Sequence, residues 1–436
     1  MRNPLRETFV RIRDLQVLAR DGLSRRRRAA AEACGRAASV LGITPGGALL
    51  SLSILLVTIG TVMVFSASFF HRSVDGDAFF FLRRQLLYLP LAILGGVLAY
   101  RLDYRILARL HWPLLGFTAV LLGLVFVPGV GLMFNGARRW IRLGNQSWQF
   151  QPSELAKLSV VVFLAGFLAL NPDRLKIFWK GFVPICAVLA VIAGLVLMEP
   201  DFGTALFILL VAAVVLVIAG IRKRFIFLSG LLAAAPIAAF MMWRWEKIQP
   251  RLMAFVDPEG FHQVRQALIA MGAGGFGGSG LGAGAQKLKF LPEPQTDFIF
   301  AVIGEELGFL GSVGVILLFV AFLLAGAAVA RRSRDWFGFL LASGIILALS
   351  IQAAINIMVV TASGPTKGIP LPFITFGRSG LIVSLIQVGL LLSIDRLAHE
   401  PAAATASAAV PAPVAAAPSP AAPLAPSGAA MEGGAA

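Results

Sequence analysis

Acids are sparse in this chain, 22 Asp and Glu in 436 residues, yet "LPEPQTDFIFAVIGEELG" (291–308) gathers Glu293, Asp297, Glu305 and Glu306. A carboxylate at a water boundary can serve as a general base. Cations nearby can neutralise a developing anion. Four stretches supply the cations. "FNGARRWIRLGNQSWQFQPSELAKL" (134–158) carries Arg138, Arg139, Arg142 and Lys157, and Lys287 and Lys289 follow the glycine run 272–284. Arg251 lies in "PRLMAF", and Lys367 and Arg378 lie in "GPTKGIPLPFITFGRSG" (364–380).

The four acids cannot act as one group. Pro292 and Pro294 end an extended segment, and a helix begins at Thr296 or Asp297, where Asp297 also suits a plain N-cap. Glu305 then lies roughly 12 Å deeper, and Glu306 points almost opposite to Asp297. A shared carboxylate dyad is excluded. Asp297 is the boundary acid; Glu305 and Glu306 are buried supports expected to pair with bases such as Lys157.

The other polar stretches have local readings too. Gln151-Pro152-Ser153-Glu154 suits a helix start, and Glu154 can pair with Lys157 at i,i+3. In "MEPDFGTA" (198–205) Asp201 suits a cap on the span that follows. The glycine run matches GxGxxG at Gly272, Gly274 and Gly277. No strand precedes it and no GK[ST] is present, so neither a dinucleotide fold nor a P-loop is supported. It reads as a flexible segment whose backbone can approach a bulky ligand. Pro365, Pro370 and Pro372 forbid a regular helix over 364–380.

The elements that must position these residues are membrane spans. The chain is 58% hydrophobic and 14% charged, with a mean hydropathy of +0.83, which excludes a water-soluble domain. Ten spans are expected at about 48–68, 82–100, 112–128, 153–170, 179–198, 202–220, 224–243, 299–329, 337–361 and 379–395. The arginine-dense short loops fix the orientation. The expected fold is an all-α polytopic membrane protein of about ten transmembrane helices, N-in/C-in, with a large extracytoplasmic loop (244–298) between helices 7 and 8. Residues 1–47 form a basic cytoplasmic arm, 48–397 the membrane domain, and 398–436 an Ala/Pro-rich tail expected to be disordered. The net charge of +16 suits anionic lipid and anionic substrates better than nucleic acid. Cys34 and Cys186 and four scattered histidines support neither a disulfide framework nor a zinc site.

The motifs "NGARRWIRLG…FQPSELAKL", "EPDFGTA", "QKLKFLPEPQTDFIFAVIGEELGFLG" and "PTKGIPLPFITFG" occur in the order and span positions of the SEDS family (shape, elongation, division and sporulation). The resemblance covers about 48–397, and its division branch, typified by FtsW, fits better than the RodA branch. It implies a peptidoglycan glycosyltransferase that polymerises lipid II at the outer face of the bacterial cytoplasmic membrane, at the septum. The implied partners are a class B penicillin-binding protein transpeptidase and other divisome membrane proteins. Asp297 matches the family's catalytic acid. Arg139, Lys157, Arg251 and Lys367 match its charged positions, and Gln151, Glu154 and Gln263 its polar ones. This chain departs from the pattern in having Gln295 for a histidine, Phe376 for a tyrosine, Arg378 for a glycine and Gly380 for a serine. Arg378 adds one cation that could contact phosphate.

The residue types suit that chemistry. A sugar hydroxyl must attack an anomeric carbon bearing a lipid pyrophosphate, with inversion, and one carboxylate suffices as base because pyrophosphate leaves readily. Arg, Lys or a divalent cation (Mg or Mn) can neutralise the leaving group. Two other readings stay open: a lipid II flippase, whose path the buried charges would line, and a divisome scaffold without activity of its own.

Overall fold

The computed structural model describes residues 44–68, 79–134, 137–142, 144, 149–171, 177–222, 224–225, 227–228, 230, 238–242, 244–257, 259–284, 291, 294–365 and 368–400. Nearly all of the basic arm and the tail lie outside them, as do half of the expected span 224–243 and the side chains of Glu293, Lys287, Lys289, Lys367 and Arg251.

Among the described residues eight helices are long and apolar enough to cross a membrane. They are α1 (Pro45–Ser68), α2 (Phe80–Arg101), α3 (Ile106–Leu124), α4 (Pro152–Leu170), α5 (Val183–Met198, with a π turn Phe178–Phe182 before it), α9 (Ile299–Arg332), α10 (Trp336–Val360) and α11 (Arg378–His399). A shorter apolar helix, α6 (Phe202–Ile218), stands among them. The polytopic helical architecture matches expectation, and the described spans fall near their expected positions, with α3 starting at Ile106 where 112 was expected. Two short helices, α7 (Trp245–Val256) and α8 (His262–Ala273), occupy the long segment before α9.

Lipid gives helices no hydrophobic reason to associate, so close backbone approach at small residues must do it. α4 is the enclosed centre: its side chains are buried almost throughout, against α3 and α10. Gly166 of α4 receives the His111 ring of α3, and Gly344 of α10 receives Val161 of α4. Gly96 of α2 meets Gly389 of α11 backbone to backbone. α2 and α3 are the least buried spans, with Leu94, Leu98, Phe117 and Val120 facing outward.

Two features depart from an all-α expectation of unbroken spans. A small antiparallel sheet, order β1-β2-β3, is formed by β1 (Gly131–Phe134), β2 (Ala137–Arg142) and β3 (Gln149–Phe150), with Gly131 opposite Ile141 and Ile141 opposite Phe150. Trp140 and Ile141 give β2 the bulky character that strands favour. The second is a break in α9, where Gly308 takes φ 67°, ψ −162°.

Hydrogen bonds sort the helix termini into two ends. At one, the Tyr104 hydroxyl donates to Asp335 Oδ2 and Arg105 Nε pairs with the same oxygen at 3.3 Å. Ser393 Oγ there donates to the Leu102 carbonyl at 2.6 Å. At the other end the starts of α4, α9 and α11 meet, carrying the motifs singled out above.

Candidate active site

α4 opens with Pro152 at its first position and Gln151 as N-cap. The Gln151 amide donates to Ser379 Oγ of α11 at 2.9 Å, and Gln151 Nε2 donates to Ser153 Oγ at 3.0 Å. One turn in, Lys157 Nζ and Glu154 Oε2 form a buried ion pair of 2.7 Å. Lys157 also donates to Gln352 Oε1 of α10 at 2.9 Å and lies 5.5 Å from the Phe207 ring centroid. Lys157 therefore pairs within its own helix, as the i,i+3 spacing suggests. Glu154, Lys157, Gln352, Ser384 and Gln387 line a small pocket in the bundle, whose other wall is apolar, from Phe207, Leu349 and Val383.

Asp297 stands just before α9, whose cap position falls on Phe298 instead of Thr296 or Asp297. Its Asp297 Oδ2 lies 2.7 Å from where a Cβ would sit on Gly368, so the carboxylate rests on the backbone of the 364–380 segment. Asn356 Nδ2 of α10 donates both to the Asp297 carbonyl (3.0 Å) and to the Ile369 carbonyl (2.8 Å). Gln352 Nε2 donates to the Pro370 carbonyl at 2.8 Å. Gln352 and Asn356 were not among the site residues expected from sequence. Their signal was present: two amides four residues apart in an apolar span need a reason to be there.

Two departures from the family pattern meet in space, since the Phe376 amide donates to the Gln295 carbonyl at 3.0 Å. The Phe376 ring packs edge-on to Phe81 at 5.0 Å. Arg378, the extra cation, heads α11 and donates to Gln149 Oε1. Its guanidinium lies 5.8 Å from the Trp140 ring and 5.6 Å from Phe376. Gly380 puts its missing Cβ 3.6 Å from Glu154 Oε2, so the position of the absent serine faces the ion pair.

Arg139 on β2 reaches the Glu199-Pro200-Asp201 turn. Its Nε donates to the Glu199 carbonyl at 3.2 Å, its Nη2 to the Pro200 carbonyl, and its Nη1 lies 4.0 Å from Asp201 Oδ2. Asp201 caps α6 as expected, accepting from the Thr204 amide at 3.2 Å and the Thr204 hydroxyl at 2.9 Å. Arg139 thus braces the turn. Glu199 was not singled out from sequence, yet its carboxyl is fully buried and neither oxygen has a hydrogen-bond partner among the described residues. Burial, reinforced by Asp201 and opposed by Arg139, pushes its pKa up to about 9.

Glu306 departs from expectation. Its carboxylate accepts from Ser66 Oγ of α1 at 2.7 and 2.6 Å, while Lys157 is engaged by Glu154 and Gln352. Glu305 Oε2 lies 2.8 Å from the position of a Cβ on Gly284. Both acids are buried beside the glycine run, which corrects its reading as a loose segment. The Ser279 amide donates to the Glu305 carbonyl (2.9 Å) and the Gly280 amide to the Glu306 carbonyl (3.0 Å). The Phe309 amide donates to the Gly275 carbonyl (2.9 Å). The run supplies the hydrogen bonds that the break at Gly308 takes from α9, as any break inside a membrane requires.

Gln263 is exposed on α8, apart from these contacts. Among the described residues no group of three or more His, Cys, Asp or Glu draws together as a metal site would need.

Residues 48–400 match the family profile FtsW/RodA/SpoVE, described as cell cycle protein. A protein of Geobacter sp. (strain M18) named "probable peptidoglycan glycosyltransferase FtsW" is 42% identical over 353 residues, covering 79% of this chain and 95% of its own. Stage V sporulation protein E of Bacillus subtilis (strain 168) is 38% identical over 358 residues, covering 81% and 97%. A solved chain from "Structural coordination of polymerization and crosslinking by a peptidoglycan synthase complex" superposes with a TM-score of 0.65 at 30% identity, over 81% of this chain and 98% of that one. The rod shape determining protein RodA of Thermus thermophilus gives a TM-score of 0.59 at 31% identity, over 81% and 97%.

Proposed function

This chain belongs to the FtsW/RodA/SpoVE family of cell cycle proteins, and on that premise we propose that it is a peptidoglycan glycosyltransferase of septal wall synthesis. It polymerises lipid II at the outer face of the bacterial cytoplasmic membrane, with Asp297 as general base. The acceptor's sugar hydroxyl attacks the anomeric carbon of the lipid-linked donor. A C–O bond forms, the bond to pyrophosphate breaks with inversion, and the hydroxyl proton passes to Asp297. Lys367, next in sequence to Gly368, and Arg378 neutralise the leaving pyrophosphate. Among the described residues no three His, Cys, Asp or Glu draw together, and no step here passes through a metal.

The observation that carries this reading is the seating of the Asp297 carboxylate against Gly368. It joins an acid to the cation-bearing segment at the end of the bundle where α4, α9 and α11 begin. A class B transpeptidase is the proposed partner, in keeping with the polymerisation and crosslinking complex to which the chain is similar.

The test is chain formation from lipid II by Asp297→Asn protein purified with its transpeptidase. Loss of polymer with the complex intact is expected; near-normal polymer overturns the assignment. The broken α9 and the buried Glu154–Lys157 pair are what a flippase reading would use. An assay in vesicles that scores translocation and polymerisation separately decides between them.

A further inference from the structure

α10 crosses an apolar interior carrying Gln352 and Asn356 four residues apart, hence on one face. Asn356 is 1% exposed. Both hydrogens of its amide are used, one on the Asp297 carbonyl and one on the Ile369 carbonyl. That is the full donor capacity of the group. Its Oδ1 accepts no hydrogen bond among the described residues. A leucine here would leave the Asp297 and Ile369 carbonyls without these donors, so the amide does more than fill space.

The Asn356 amide fixes the distance between two peptides that belong to no regular element. One carries Asp297; the other follows Gly368, on which the Asp297 carboxylate rests. Gln352 extends the clamp one turn along α10, donating to Pro370 and accepting from Lys157. The segments before α9, between α10 and α11, and at the start of α4 are thereby referenced to one rigid helix face.

We infer that Asn356, seconded by Gln352, is a positioning residue for glycosyl transfer: its two hydrogen bonds set the Asp297 carboxylate against the 368–370 segment. The inference rests on Asp297 being the base. A displacement of about 1 Å at a reacting group can slow a reaction on the order of 100-fold. Asn356 acts on the acid and not on substrate, so the loss should fall on kcat.

The experiment compares the parent with Asn356→Leu, Asn356→Ser and Asp297→Asn, each purified with the transpeptidase and assayed on lipid II across concentration. For Asn356→Leu, kcat is expected to drop about 10- to 100-fold while KM stays within about twofold. Its partner recovery should match the parent's, and its melting temperature should fall only by what two lost hydrogen bonds cost, leaving the protein folded at the assay temperature. Asn356→Ser keeps one donor and should fall between the two. A folded Asn356→Leu with parental kcat, or one whose KM alone rises, overturns the inference while an inactive Asp297→Asn leaves the catalytic reading standing. An active Asp297→Asn removes the catalytic reading itself. If neither Asn356 variant folds, the residue serves packing and the inference falls.

Discussion

Glu154 and Lys157 face each other across 2.7 Å with both side chains more than nine-tenths buried. A buried ion pair is a weak source of net stability, but stripping one partner leaves a charge without compensation, at about 3–5 kcal/mol. Glu154→Gln and Lys157→Met should each lower the melting temperature markedly. The double variant should recover much of the loss, since its two neutral side chains leave no orphaned charge. A double-mutant cycle on purified protein measures this coupling. Additive losses would show that Gln352, not Glu154, is the important partner of Lys157.

Gly308 holds φ 67° inside α9, with the Gly278 amide where its Cβ would lie. Gly308→Ala therefore meets both a strained backbone conformation and a backbone clash that no side-chain rotation relieves. It should destabilise by more than about 1 kcal/mol. Gly314, also in α9, has open space at its Cβ. Gly314→Ala should be neutral or stabilising, by up to about 1 kcal/mol, from helix propensity. Melting curves of the two variants separate the effects.

The contrast between these two glycines shows what was legible in the sequence. Hydropathy located the described spans, because lipid permits few alternatives to a helix, although α3 (Ile106–Leu124) begins and ends earlier than the 112–128 expected. The i,i+3 pairing of Glu154 with Lys157 and the cap at Asp201 were also readable, being local. The partners of Glu306 and Asp297 were not. Ser66 is 240 residues from Glu306 in sequence, and Asn356 reaches Asp297 from another helix. The packing of the glycine run is hidden from sequence for the same reason. Its composition reports freedom of the unpaired chain, while its role depends on a helix break 24 residues further on that only packing reveals.

Gly368 leads to a sharper test of the acid. A methyl group there would stand 2.7 Å from Asp297 Oδ2, closer than a Cβ tolerates, and would push the carboxylate off its seat. Gly368→Ala should lower kcat on lipid II by about tenfold or more. Because the site is at the surface of the segment, the melting temperature should hardly move. Unchanged turnover would mean that the position of this carboxylate does not matter to the reaction.

Glu199 gives the protein a built-in pH dependence of stability. Its carboxyl is raised from 4.5 to about 9 by burial and by Asp201, against the pull of Arg139. Between those values the folded chain holds a proton that the unfolded chain has released. Stability from this group is therefore complete below pH 4.5 and is lost progressively as pH rises through about 9. Glu199→Gln keeps a neutral side chain of similar shape at every pH. The variant should melt close to the parent near about pH 5 and above it near about pH 8, the gap widening with pH. The Arg139 contacts run to the carbonyls of Glu199 and Pro200, so the turn should survive the change. Melting temperatures of both proteins across that range check the sign. Parallel curves would show that Glu199 is already ionised in the fold, held by Arg139.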